Sequence, residues 1–158
     1  MRLAGLCAAA VLAAVPPQVA AQEGTPPSAA PPGAERAPLP SHGAVNVELN
    51  KLEPVASACR AYFLVENQMP VPLQEMRLDV FLFDLSGVVL RRVALSFADV
   101  GVGKVKVALF DLPDLACTDV SRLLVNDVIG CTIRNNETVP DCGDLLSVGS
   151  KASAEFRY

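Results

Sequence analysis

The 158-residue sequence predicts an all-β domain, an antiparallel immunoglobulin-like sandwich of about seven strands, with a small β-barrel as the alternative. Three observations carry this reading. From Gly43 onward, apolar residues come in short runs roughly 8–15 residues apart, divided by turn signals. Several runs alternate apolar and polar residues with the period of two that a half-buried strand requires. Only the stretch after Asp114 offers a helical turn. Strand counting does not show whether the sheet closes on itself, so the barrel stays open as an alternative.

Taken in order, Val45, Val47 and Leu49 alternate with polar neighbours. Cys59 to Val65 (CRAYFLV) is a stronger β run, and it ends in the turn-prone Glu66-Asn67-Gln68 and the prolines Pro70 and Pro72. Met76, Leu78, Val80 and Leu82 alternate with Arg77 and Asp79, while Phe81 and Phe83 make the other face apolar near the strand's end. Asp84-Leu85-Ser86-Gly87 reads as a hairpin turn, because Gly87 accepts the positive φ such turns demand. Val88 to Phe97 returns as a strand carrying Arg91 and Arg92, and Asp99 to Gly103 makes the next turn. Val105, Val107 and Leu109, alternating with Lys104 and Lys106, give the clearest period-two signal in the chain. Asp111-Leu112-Pro113-Asp114 breaks that strand, and the Asp114 carboxylate is positioned to cap a short helical turn through Ser121. Leu123 to Ile133 reads as another strand, interrupted by Asn126-Asp127, and Ala154 to Tyr158 as a final short one. Two polar residues inside that apolar run predict a bulge, a hydrogen-bonded edge or a contact surface.

The N-terminus predicts export. Arg2 precedes an apolar core from Leu3 to Val15, and Val19-Ala20-Ala21 supplies a small-residue cleavage pattern, which puts cleavage between Ala21 and Gln22. The run is shorter than the roughly 18 residues of a membrane span, so residues 1–21 read as a cleavable signal peptide. Residues 22–42 hold six prolines, two glycines and no aromatic residue, and read as a disordered linker. Residues 43–158 carry all eight aromatic residues and form the folded domain.

Export sets how the cysteines are read. Removal of Cys7 with the signal leaves Cys59, Cys117, Cys131 and Cys142, which in an oxidising compartment predict two disulfides. No metal site is expected, because no pair has zinc-finger spacing and the one histidine, His42, falls in the linker. In the sandwich topology the second and fifth strands pair antiparallel, so the start of one lies beside the end of the other. That favours Cys59–Cys117 with Cys131–Cys142, and the rival arrangement is Cys117–Cys131 with Cys59–Cys142.

The chemistry-bearing residues form no evident catalytic set. A nucleophile needs a base beside it, and no Gly-x-Ser-x-Gly turn is present. Asp79, Asp84, Asp111, Asp114 and Asp119 stand mostly at strand ends and turns, where short polar side chains belong. Asp111, Asp114 and Asp119 lack EF-hand spacing. Arg91 and Arg92 would point to opposite faces of a strand, so they read as a solvated edge. Asn136-Glu137-Thr138 is a formal glycosylation sequon, read here as coincidental. The net charge of −4 and the scattered basic residues argue against nucleic acid as a partner.

Three segments, ACRAYFLVEN (58–67), VALFDLPDLAC (107–117) and RLLVNDVIGC (122–131), resemble together a group of uncharacterised exported alphaproteobacterial proteins labelled "Tat pathway signal sequence domain protein". The resemblance implies a periplasmic location and no defined activity. Arg2 stands alone rather than in a twin-arginine pair, which points to general secretory export. The sequence as a whole predicts a periplasmic or secreted, non-enzymatic interaction or structural accessory protein with an envelope protein as partner. No cofactor, catalytic residue or membrane span after signal cleavage is expected. The alternatives are a small-ligand carrier with an apolar cleft between its sheets and a carboxylate-based hydrolase acting on the cell envelope.

Overall fold

Alternating apolar residues can bury one side of a strand only if a second layer covers it. The computed structural model, which describes residues 43–158, shows two such layers. The signal segment, its Ala21/Gln22 boundary and the linker with His42 lie outside the described residues. The first sheet has the order β5-β2-β1-β8, built from β1 (Val45–Val55), β2 (Ala58–Asn67), β5 (Val105–Pro113) and β8 (Leu146–Ser150). The second has the order β4-β3-β6-β7, built from β3 (Leu73–Phe83), β4 (Val89–Val100), β6 (Arg122–Ile133) and β7 (Glu137–Thr138). A last strand, β9 (Glu155–Arg157), pairs with the start of β6. Pairing is antiparallel except for β1 with β8 and β6 with β9. The sheets stay open at their edges, so the arrangement is a sandwich and not a barrel. Seven of the strands reach five residues or more, and the two short ones, β7 and β9, cover opposite ends of β6.

The core follows from strand periodicity. Val47 and Leu49 lie opposite Val65 and Phe63 in one sheet, and Val45, Cys59 and Ala61 are buried with them. Met76, Leu78, Val80 and Leu82 supply the opposing face from β3. Phe63 sits at the centre, with ring centroids 5.5 Å from Phe97, 5.8 Å from Phe110 and 5.5 Å from Phe156, all edge to face. That geometry sets the positive ring edges against negative faces and adds to the burial itself.

Asn67 is the polar exception inside this core and is fully buried. Its side-chain nitrogen donates to the Val71 and Val100 carbonyls at 3.0 and 2.9 Å, and its side-chain oxygen accepts from the Met69 amide at 3.0 Å. Its backbone amide donates to the Lys104 carbonyl, and its own carbonyl accepts from the Gly103 amide. The sequence marks this residue only as turn-prone. The structure makes it the hub of two crossovers, from β2 to β3 and from β4 to β5.

Three expectations are corrected. Asp114 does not cap the helical turn: the 3-10 turn Cys117–Asp119 begins after Ala116 with no side-chain cap, and Asp114 itself adopts a left-handed φ of 54°. An aspartate tolerates that conformation better than most residues, and here it ends β5 instead of starting the turn. Arg92 is not simply a solvated edge residue, because it reaches across to a buried aspartate on β3. Finally, the clear alternation in β5 faces the other way from a core signal. Val105, Val107 and Leu109 are exposed, while Ala108, Phe110 and Leu112 point inward. Alternation fixes two faces but not which one is covered.

The bridges are Cys59–Cys117 and Cys131–Cys142, with Cα separations of 5.0 and 6.1 Å. The first ties the start of β2 to the chain just beyond β5, where Cys59 lies opposite Leu112. The second holds the β6–β8 connection against β6.

Two stability predictions follow from this framework. Asn67→Ala leaves two carbonyls and one amide without their buried partner and should cost about 2–4 kcal/mol in denaturant unfolding. Replacing Cys59 and Cys117 by Ala should cost about 2–5 kcal/mol. The same change at Cys131 and Cys142 should cost less, since their sequence separation is 11 residues against 58.

Candidate interaction surface

The covered and uncovered sides of each strand decide where this domain meets other molecules. Among the described residues β5 ends its sheet, so half of its backbone groups have no neighbouring strand there. The Lys104 carbonyl accepts from Asn67 on β2. Antiparallel alternation therefore directs the N–H and C=O groups of Val105, Val107, Leu109 and Asp111 toward the free edge. The Pro113 carbonyl, in the same phase, is taken by Arg91 at 2.7 Å.

The outward side chains of this edge are apolar. Val105, Val107 and Leu109 are 59, 55 and 53% exposed. Leu64 and Tyr62 lie across from Val107 and Leu109 on β2 and extend the stripe inward. Charged pairs frame it: Arg60 holds Asp111 in a two-pronged contact at 2.6 and 2.9 Å, and Lys51 meets Glu53 at 2.6 Å while lying over the Tyr62 ring. The strand is also polarised, with Lys104 and Lys106 at its beginning and Asp111 and Asp114 at its end.

The outer face of the second sheet is organised differently. Asp79 is buried there, and Arg92 grips it at 2.6 and 3.1 Å while Asn126 donates to it at 2.9 Å. Asn126 reaches it because β6 bulges between Val125 and Asp127, which pair with Val80 and Asp79. The polar interruption in β6 is thus a bulge with a hydrogen-bonding purpose. Arg92 also lies over Phe81, and Arg122 lies 4.3 Å from the Phe83 ring centroid. These cations cover the two aromatic residues that the sequence places on the outer face of β3.

The remaining carboxylates are in structural roles. Asp84 accepts from the amides of Ser86 and Val88 and closes the β3–β4 turn, where Gly87 has φ 84°. Asp111 is paired with Arg60, and Asp119 lies in the 3-10 turn. Hydrogen bonding from Arg92, from Ser86 and from Arg60 holds Asp79, Asp84 and Asp111 below the usual carboxylate range. Such groups are ionised near neutrality, opposite to what a general acid needs. Asn136 of the sequon is exposed, and its amide donates to Gln74. Among the described residues, no group of three or more His, Cys, Asp or Glu is placed to hold a metal ion, and no helix is long and apolar enough to cross a membrane.

No family model and no curated protein matches this sequence. Among solved structures, IrmA from Escherichia coli superposes with a TM-score of 0.51, over 66% of this chain and 89% of its own, at 12% identity. At that identity the likeness is one of fold.

The Asp79–Arg92 pair gives an asymmetric prediction, because the two side chains are 4 and 64% exposed. Arg92→Ala leaves a buried carboxylate with Asn126 alone, whereas Asp79→Asn leaves an arginine that water can solvate. Arg92→Ala should therefore lower the melting temperature more at neutral pH. Because the folded pKa of Asp79 is depressed, the wild-type pair contributes fully above the unfolded carboxylate pKa of about 3.9 and is lost as pH falls through the folded value. Thermal melts from neutral pH down to about pH 3 should show the gap between the two variants closing as the carboxylate protonates.

Proposed function

We propose that this chain is an exported, non-enzymatic β-sandwich that works in the periplasm, or outside the cell, as an interaction or structural accessory module. In this reading it docks through the β5 side of its first sheet. The observation that carries the proposal is the exposed stripe Val105, Val107 and Leu109 on the outer face of an edge strand, where the same residues direct their backbone groups sideways to the free edge. Contiguous apolar surface on an uncovered sheet edge is what strand-addition partners use. The signal-like N-terminus and the two disulfides support an oxidising location, and so does the resemblance to exported alphaproteobacterial proteins. Asp79 and Asp111 are each taken up by an arginine partner, which supports structural roles for them over acid–base chemistry.

A ligand carrier with a cleft between its sheets is less well supported, since Phe63, Phe97, Phe110 and Phe156 fill that space. A surface version of that reading retains one observation. A concavity of about 520 Å³ beside β6 is lined by Ile129, Val139 and Tyr158 together with Asp127, Asp141 and Asp144. It would suit a cation with an aliphatic body, and a thermal-shift screen with such amines tests it.

The docking proposal is tested by comparing wild-type protein with Val107→Lys and Leu109→Lys in pull-downs from the cell envelope at low and high salt. Both sites are exposed, so stability should change by no more than about 0.5 kcal/mol. Wild-type protein should retain an envelope partner that both variants lose. Equal capture by all three proteins, or turnover of an envelope substrate by the purified protein, sinks the reading.

A further inference from the structure

We propose that the β5 edge also binds a second copy of this chain, antiparallel and with Val107 on the two-fold axis, to make one continuous eight-stranded sheet. The inference rests on the docking reading above and names an occupant for the same edge.

Self-complementarity along the strand points to this occupant. In an antiparallel pair the beginning of one β5 lies against the end of the other. The basic beginning of the strand, Lys104 and Lys106, thus lies toward the acidic end with Asp111 and Asp114, so the ends are complementary in overall charge although Lys106 and Asp111 sit on opposite faces, where a parallel arrangement would set like ends together. The register is equally constrained. Because neighbouring side chains alternate faces, the outward residues Val105, Val107, Leu109 and Asp111 must meet outward residues of the second copy.

Centring the axis on Val107 pairs Val107 with itself and Val105 with Leu109, so the whole exposed stripe is matched by aliphatic side chains. Asp111 then falls opposite the small Gly103, beside Lys104. Centring on Ala108 instead sets Val105 against Asp111, and centring on Leu109 sets Val107 against Asp111. Both alternatives bury an aliphatic group against a carboxylate already held by Arg60. On the inward side, the Val107 register places Lys106 opposite Ala108, which is small enough to leave the lysine its contact with the Ala98 carbonyl at 2.8 Å.

The backbone agrees with the side chains. Since the N–H and C=O groups of Val105, Val107 and Leu109 face the free edge, Val107 on the axis forms a hydrogen-bonded pair with its own copy. Residues in such a pair have Cα atoms about 5.5 Å apart, within the range a disulfide spans. Two copies of Val105 would be separated by four residues of strand offset, about 14 Å, which no disulfide bridges.

The test uses the purified full chain with both native disulfides formed. Sedimentation equilibrium from micromolar to several hundred micromolar should show a monomer–dimer transition. Val107→Lys places two ammonium groups on the axis and should raise the dimer dissociation constant at least about tenfold. Its unchanged circular dichroism and melting temperature would show that the fold is intact. Under mild oxidation, Val107→Cys should form a covalent dimer in high yield, and Val105→Cys should not.

A wild-type chain that stays monomeric throughout the range overturns the proposal. So does a dimer that survives Val107→Lys, or cross-linking through Val105→Cys in preference to Val107→Cys. If the wild-type chain is monomeric but Val107→Lys still loses an envelope partner, the self-association fails while the docking surface stands. If neither is seen, both readings fall together.

Discussion

The hydrogen bonds of Asn67 are the constraint on which the rest of this sandwich depends. Each time the chain leaves one sheet for the other, it must turn with backbone groups that no ladder satisfies, and buried groups of that kind are costly to leave unpaired. Here two crossovers, from β2 to β3 and from β4 to β5, meet at the same end of the domain. One amide side chain serves both, through the carbonyls of Val71 and Val100 and the amide of Met69. An amide is suited to this because it offers donors and an acceptor together without a charge. A carboxylate would face two carbonyl oxygens, and an apolar residue of the same size would satisfy none of them.

The position of β5 follows from that clamp. By fixing where the chain re-enters the first sheet, Asn67 and the Lys104 carbonyl set the phase of the β2–β5 ladder. From that phase Phe110 and Leu112 must point inward and Val105, Val107 and Leu109 outward. The Cys59–Cys117 bridge secures the other end of the same strand pair. Between the two ends, Phe63 packs against rings from β4, β5 and β9. The edge strand is therefore held at both ends and backed by aromatic packing, so that its outer surface is presented by a rigid support.

Much of this architecture is legible in the residues. Turn residues such as Gly87 and Asp84 mark the hairpin, and the alternation in β1 and β3 marks the core faces. The disulfide partners follow once the second and fifth strands are set side by side. Other features are not readable in this way, for physical reasons. From Val107 to Phe110 the pattern of β5 is apolar on both faces, so periodicity alone assigns neither side to the core. Strands β7 and β8 are short or irregular in pattern, and they exist because β6 and β1 offer them an edge. Asn67 looks like an ordinary turn residue because Met69 and Val71 are local partners, while the one that ties its side chain to the second crossover, Val100, lies 33 residues away. The Asp79–Arg92–Asn126 contact is hidden likewise, since it depends on a bulge that shifts the register of β6.

Charge placement separates the two outer faces in what they can do. On the second sheet, arginines are laid over Phe81 and Phe83, so the apolar rings there are covered by the chain's own cations. On the first sheet, Arg60 pairs with Asp111, Lys51 with Glu53 and Lys151 with Glu48, and none of these cations lies over the aliphatic residues of β5. The aliphatic stripe between those pairs keeps its exposure. Local pairing of this kind leaves little long-range field, so electrostatic steering would contribute modestly to any encounter at this face. What the surface offers is apolar area combined with a row of directed backbone groups. Apolar area favours association without fixing an arrangement, and the backbone row supplies the register that apolar contact lacks.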